Sequence, residues 1–250
     1  MGKDRSRAHF EEVFELKARS GRTPPQPPRG AFFGRRKGHA LRAKQTALFD
    51  TLLPRLALDL TRPSPADLSA LFDGVDEVRL ESGFGGGEHL ITEAERNPRI
   101  GFIGIEPFVN GMAKALTAIE GGKLTNIRLH HGDATDVLAW LPAASLTRFV
   151  LLYPDPWPKR RHWKRRFVQD ESVTAIARVL KPGGEFLFAS DIADYVAWTL
   201  LRVMRSPDFI WTAEQADDWR KPWPDFTRTR YEAKAIREGR VPCYLTFRRQ

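Results

Sequence analysis

Four carboxylates, Glu81, Glu106, Asp133 and Asp155, each stand at the end of a short apolar run or just past it. The first opens Glu81-Ser82-Gly83-Phe84-Gly85-Gly86-Gly87-Glu88, a Gly-x-Gly-x-Gly turn whose glycines let backbone approach a ligand closely. A dinucleotide fingerprint needs Gly-x-Gly-x-x-Gly, and its last place is taken here by Glu88. An acid at a helix N-terminus repels the pyrophosphate that would otherwise settle there. The expected ligand is therefore nucleoside-like and free of phosphate. Glu106 can accept hydrogen bonds from two ribose hydroxyls, and Asp133, in Gly132-Asp133-Ala134, can hold an adenine's exocyclic amine. Each sign is weak alone, since acids often follow strands and glycines make tight turns. Together they line one groove suited to an adenosine bearing a cationic group. S-adenosylmethionine, with a sulfonium, an amino-acid tail and no phosphate, has that chemistry.

The fourth acid sits in Tyr153-Pro154-Asp155-Pro156-Trp157-Pro158-Lys159, where flanking prolines stiffen the loop. Arg160-Arg161-His162-Trp163-Lys164-Arg165-Arg166-Phe167 follows. Basic residues interleaved with aromatics form the surface that single-stranded or looped RNA prefers. The bland alternative is a solubilising face. Asp191 follows a fifth apolar run and equally suits a helix N-cap. Thr229-Arg230-Tyr231-Glu232 has the spacing of a capping box, so a helix start is its plain reading.

Positioning these residues takes alternating strands and helices. Strands are expected at residues 77–80, 101–105, 127–130, 149–153 and 185–189, with further ones at 209–212 and 244–248. The run at 149–153 is continuously apolar, as buried parallel strands are. Helices are expected at 41–58 (interrupted near Pro54), 89–97, 110–119, 170–180 (ended by Pro182-Gly183-Gly184) and 194–204. The order predicts a doubly wound α/β sheet with its ligand beyond the carboxyl ends of the strands. Residues 1–19 hold a short amphipathic helix pattern. The composition changes from Ser20 to Gly38, and its proline-rich part, Ser20 to Gly30, cannot be helical, so residues 1–38 read as a mobile basic arm before a domain at 39–250.

The net charge of +9 is unevenly spread. Residues 1–50 carry 12 basic and 5 acidic side chains, residues 156–166 carry 6 basic and none acidic, and residues 228–250 carry 7 and 2. The rest of the chain is therefore acidic, at −9. An acidic body with three basic segments fits a polyanionic partner if the segments meet in space. One cysteine excludes a disulfide framework and a thiolate-built zinc site. The six histidines show no metal-ligand spacing, so no metal is expected. No apolar run approaches a membrane span, and no leader pattern follows the basic opening residues. A soluble cytoplasmic protein, monomer or homodimer, is the expectation.

Taken jointly, Asp155-Pro156-Trp157-Pro158-Lys159 with its basic run, Gly104-Ile105-Glu106-Pro107, the glycine turn through Glu88-His89, and Thr229-Arg230-Tyr231-Glu232 resemble the bacterial tRNA (guanine-N7-)-methyltransferase family. The likeness runs from about Ala31 to Gln250. It implies a class I methyltransferase fold, a mostly parallel seven-stranded Rossmann-like sheet, and methylation of a guanosine in the tRNA variable loop. It further implies that Glu81, Gly83, Gly85, Gly87, Glu106, Asp133, Ala134 and Asp155 contact S-adenosylmethionine, Asp155 being also the catalytic residue. Lys159, Asp191, Thr229, Arg230, Tyr231 and Glu232 would contact substrate, and Arg160, Arg161, His162, Trp163, Lys164, Arg165 and Arg166 would lie against RNA. Ser82 departs from the pattern, where an apolar residue is expected, and predicts looser packing beneath the glycine turn.

Other readings stay open at this stage. An RNA exocyclic-amine methyltransferase would use an Asp/Asn-Pro-Pro-aromatic loop, of which Asp155-Pro156-Trp157 is a near miss. A non-catalytic RNA-binding protein could share the scaffold, although the intact acids argue against decay. Pro242-Cys243 has the look of a cytosine-methylating nucleophile, but its place at the start of the last strand favours a structural cysteine.

Overall fold

A computed structural model describes residues 33, 34 and 36–250. The amphipathic pattern at 1–19 and the proline-rich stretch Ser20 to Gly30 lie outside the described residues. Seven strands form one sheet in the order β3-β2-β1-β4-β5-β7-β6. They are β1 (Glu77–Ser82), β2 (Ile100–Ile105), β3 (Ile127–His130), β4 (Leu146–Leu152), β5 (Leu180–Ser190), β6 (Phe209–Trp211) and β7 (Cys243–Arg249). All neighbours pair in parallel except β7, which runs antiparallel to both β5 and β6. The chain therefore doubles back between β1 and β4, and the crevice at such a switch point is where a ligand binds in open α/β sheets.

Nine α-helices are found among the described residues: α1 (Ala43–Thr51), α2 (Leu53–Leu56), α3 (Glu88–Arg96), α4 (Val109–Gly122), α5 (Ala134–Trp140), α6 (Asp170–Val179), α7 (Ala193–Val203), α8 (Asp217–Arg220) and α9 (Arg230–Arg237). Strand residues alternate between the two faces. Phe102 and Leu129 join Leu48, Leu90, Met112 and Leu116 of α1, α3 and α4 on one side. Ile103, Phe149, Phe186 and Phe247 pack on Val137, Ile176 and Tyr195 of α5, α6 and α7 on the other. Over β4, β5 and β7, Trp223 and Phe226 pack on Val150, Leu187 and Tyr244.

Three expectations are corrected. The helix expected at 170–180 stops at Val179, and Leu180 already begins β5. Pro182-Gly183-Gly184 lies inside that strand as a register shift opposite β4, with Gly183 at φ +79°. Helix α5 was not foreseen, because its seven residues are too few to show a clear period. The fourth strand starts at Leu146 and ends at Leu152, leaving Tyr153 outside it. The break expected near Pro54 is real: α1 ends at Thr51, and α2 begins with the proline in its first turn, where the missing donor costs nothing. Ser82 is buried and ladder-paired opposite Ile105 and Leu151.

Candidate active site

The acid-lined half is held by backbone. Glu106, just past β2, accepts the Gly85 N–H on Oε2 at 2.6 Å and the Phe108 N–H on Oε1 at 2.9 Å. One side chain thus pins the glycine turn to the entry of α4. Gly85 and Gly87 sit at φ +60° and +84°, where a side chain would be strained. Gly111 was missed by sequence reasoning and is as demanding: a Cβ there would stand 2.2 Å from the Gly85 carbonyl oxygen, so only glycine lets α4 lie against the turn. A lone glycine inside an apolar helix pattern was the available signal. Burial pushes the Glu106 carboxyl up to about 7, against the pull of its two amide donors and the nearby Arg230 cation.

Glu81 is almost fully buried, with Oε2 2.7 Å from His89 Nδ1. Burial opposes charge on His89, but the facing carboxylate wins and raises its proton affinity. His89 ends the glycine-turn motif in the sequence, where it carries no assigned role. Asp133 caps α5, accepting the Thr135 N–H and hydroxyl at 2.9 Å each through Oδ1. Its other oxygen shows no hydrogen bond among the described residues. Ala134 is the first residue of that helix and is buried.

The loop after β4 is held differently. Tyr153 and Trp157 both adopt left-handed backbone, at φ +49° and +42°. For non-glycine residues such geometry costs about 1–3 kcal/mol each and persists only where surroundings enforce it. The enforcing contacts are the Tyr153 N–H to Ala189 O at 2.8 Å and Arg166 Nε to Pro156 O at 2.8 Å. Asp155 lies between these two points. Its carboxyl reaches solvent, yet the protein packed around it removes enough water to raise its proton affinity, and its charge is felt at Glu106.

Arg166 departs from the RNA-facing surface expected of it. Its side chain is fully buried, pairs with Asp194 Oδ2 at 2.5 Å, and lies over the rings of Trp163, Tyr195 and Trp198. It is the internal strut of the loop. Lys159, Arg160, Arg161 and Lys164 are exposed. Arg165 is stacked between Trp157 and Phe33, its guanidinium about 5 Å from each ring centre. His162 meets Trp157 edge-on, and loss of water plus the Arg165, Arg161 and Lys159 cations lowers its proton affinity.

The motif near the end of the chain is a helix start as well as a site candidate. Thr229 caps α9 by accepting the Glu232 N–H at 3.2 Å. Glu232 is buried and accepts the Tyr244 hydroxyl at 2.5 Å. Tyr153 lies in the field of Tyr244, Glu232 and Asp191, so this cluster backs the Asp155 loop. Asp191 is ion-paired with Arg240 and does not cap α7, whose N-cap is Ile192. Tyr231 is exposed, and its ring lies over Gly85.

The sequence comparisons show the family. Residues 76–244 match the family described as "Putative methyltransferase". A tRNA (guanine-N(7)-)-methyltransferase of Nitrobacter hamburgensis is 63% identical over 222 residues, 88% of this chain and 87% of that one. One of Bradyrhizobium diazoefficiens is 61% identical over 220 residues, covering 88% and 93%. The chain belongs to the tRNA (guanine-N7-)-methyltransferase family. Among solved structures, a 16S rRNA methyltransferase, KamB, matches 76% of this chain and 95% of its own at a TM-score of 0.51 and 18% identity, a likeness of fold. The mostly parallel seven-stranded sheet is thus the class I methyltransferase type. Among the described residues no cluster of His, Cys, Asp or Glu could hold a metal, and no helix is long and apolar enough to cross a membrane.

Proposed function

We propose that this chain transfers a methyl group from S-adenosylmethionine to N7 of a guanosine in the variable loop of tRNA. The observation that carries the reading is the place of Asp155, with the acid-lined glycine turn on one side and the Trp157–Arg165 stack and basic segment on the other. The residues present fit the cofactor. Glu106 keeps lone pairs for ribose hydroxyls beyond its two amide bonds, Asp133 keeps one oxygen for an adenine amine, and buried Glu81 favours the cationic tail. The glycines leave room that a Cβ would fill. The bound cofactor supplies an electrophilic methyl group, attached to a sulfonium.

Guanine N7 carries a lone pair and no proton at neutral pH. Its attack on carbon needs no general base. The work left to the protein is positioning, exclusion of water and electrostatics, and positioning alone supplies up to about 7–11 kcal/mol when geometry is good. Asp155 serves as an acceptor for the guanine edge and as a stabiliser of the positive charge the purine gains. Lys159 and the exposed arginines hold phosphates, and Trp157 offers a stacking face. Glu232 and Asp191 back the loop from behind. The test is incubation with S-adenosylmethionine and unmodified tRNA, then borohydride reduction and aniline cleavage. Strand scission at one variable-loop guanosine is expected. Methylated but uncleavable RNA would instead indicate an exocyclic-amine enzyme.

A further inference from the structure

Arg230 is the first residue of α9, and its side chain turns back onto the glycine turn. A Cβ on Gly86 would stand 2.9 Å from its Nη2, and one on Gly85 3.3 Å. Those two glycines therefore make the space in which the guanidinium lies. Its Nε and Nη2 are buried and make no hydrogen bond among the described residues. The nearest acid, Glu88, is 3.6 Å from Nε, beyond hydrogen-bonding range. The ring of Tyr231 lies 5.3 Å beneath the guanidinium and leaves its edge uncommitted. Two buried N–H groups without acceptors are costly unless one arrives, and the side chain, about a third exposed, leaves an acceptor a way in. The planar fork matches a carboxylate in bidentate fashion.

Of the groups on S-adenosylmethionine, the amine and sulfonium are cationic and the ribose and adenine are neutral. The α-carboxylate is the one anion. We propose that Arg230 receives that α-carboxylate, so that the fork at the start of α9 and the acids at the strand ends grip opposite charges of one amino-acid tail. The proposal rests on the cofactor reading above. It makes α9, far along the chain from the glycine turn, the fourth wall of the cofactor pocket. It also gives Glu88 a role, to hold the guanidinium near the turn without satisfying it.

The experiment is calorimetric titration of the full chain and of Arg230→Gln and Arg230→Lys with S-adenosylhomocysteine, which keeps the carboxylate, and with methylthioadenosine, which lacks the whole tail. Loss of a charge-assisted bidentate pair predicts about tenfold or more weaker binding of S-adenosylhomocysteine by Arg230→Gln. Arg230→Lys should lie between it and the wild type, and methylthioadenosine should bind all three proteins alike. Equal losses for both compounds would overturn the proposal, because the side chain would then act through the fold. Unchanged S-adenosylhomocysteine binding with a raised KM for tRNA would also overturn it, placing an RNA phosphate on the fork. A wild type that binds neither compound would remove the cofactor reading, and this proposal with it.

Discussion

The two halves of the site are held chiefly by different means. Around the glycine turn, acids are fixed by main-chain amides at strand ends: Glu106 by Gly85 and Phe108, Asp133 by Thr135. Past β4, a strained loop and a 3-10 turn (Arg160–Arg165) are fixed by side chains, chiefly Arg166 with Asp194 and three aromatic rings. The acid half is rigid by virtue of the sheet. The basic half depends on what it buries. Adjacent arginines accordingly do different work, Arg165 on the surface stack and Arg166 inside it.

The difference is largest at Asp155, the junction of the halves. Asp155→Asn should bind cofactor nearly as the wild type does and lose about a hundredfold or more in turnover. Methyl transfer to tRNA beside a calorimetric cofactor titration checks it, and near-normal turnover would remove Asp155 from the mechanism. Next comes the strut. Arg166→Ala strips a fully buried cation from Asp194 and from the carbonyl of Pro156, at a cost of about 3 kcal/mol. For a chain of this size that is roughly a 6–12 °C fall in Tm. Arg165→Ala should leave Tm within a degree or two and weaken tRNA binding instead. If the two variants melt alike, the distinction between strut and surface is wrong.

The acid half was the more legible in the sequence for the same physical reason. Carboxylates placed by strand ends follow from the period of apolar runs, so Glu81, Glu106, Asp133 and the glycine spacing could be read in order. The buried fate of Arg166 could not, because it depends on Tyr195 and Trp198 arriving from α7, some thirty residues on. The roles of Gly111 and His89 were hidden similarly: one is demanded by the Gly85 carbonyl, the other by Glu81 across a strand–helix contact. Helix α5 was lost to its shortness, and Pro182-Gly183-Gly184 passed for a helix stop because a bulge uses the same residues as a turn.

Glu106 offers a pH test of the acid half. Its carboxyl ionises near 7 in the folded chain against 4.5 as a free group. Between those values the folded state keeps a proton that the unfolded state has lost, so stability falls as pH rises through the window, by about 3 kcal/mol in all. Glu106→Gln should erase that slope without a gain in Tm, because its amide NH2 turns a donor toward one of the two main-chain N–H groups that the carboxyl oxygens accept. It should also weaken cofactor binding, which in the wild type declines as pH drops below about 7 and the ribose loses its anionic acceptor. A wild-type cofactor Kd flat from pH 6 to 8 would contradict the shifted carboxyl.

Smaller still is the effect expected of the peripheral charges. Replacing Arg160 and Arg161 with Ala should raise the tRNA Kd and flatten its log–log salt dependence by about one per lost phosphate contact. Deleting residues 1–30, with 7 basic and 4 acidic side chains, should act in the same direction and more weakly. It should spare the cofactor, because the chain is anchored after that cut. The Val109 N–H donates to Arg36 O at 2.9 Å, the Gly38 N–H to Asn110 Oδ1 at 2.8 Å, and Asn110 Nδ2 to His39 O at 2.8 Å. Those bonds fix residues 36–39 to the start of α4, where Glu106 and Gly111 support the glycine turn. A deletion that lowers cofactor affinity would mean that the acid half also relies on residues before the anchor. One that leaves tRNA affinity and its salt slope untouched would confine RNA recognition to the segment after β4 and to α9.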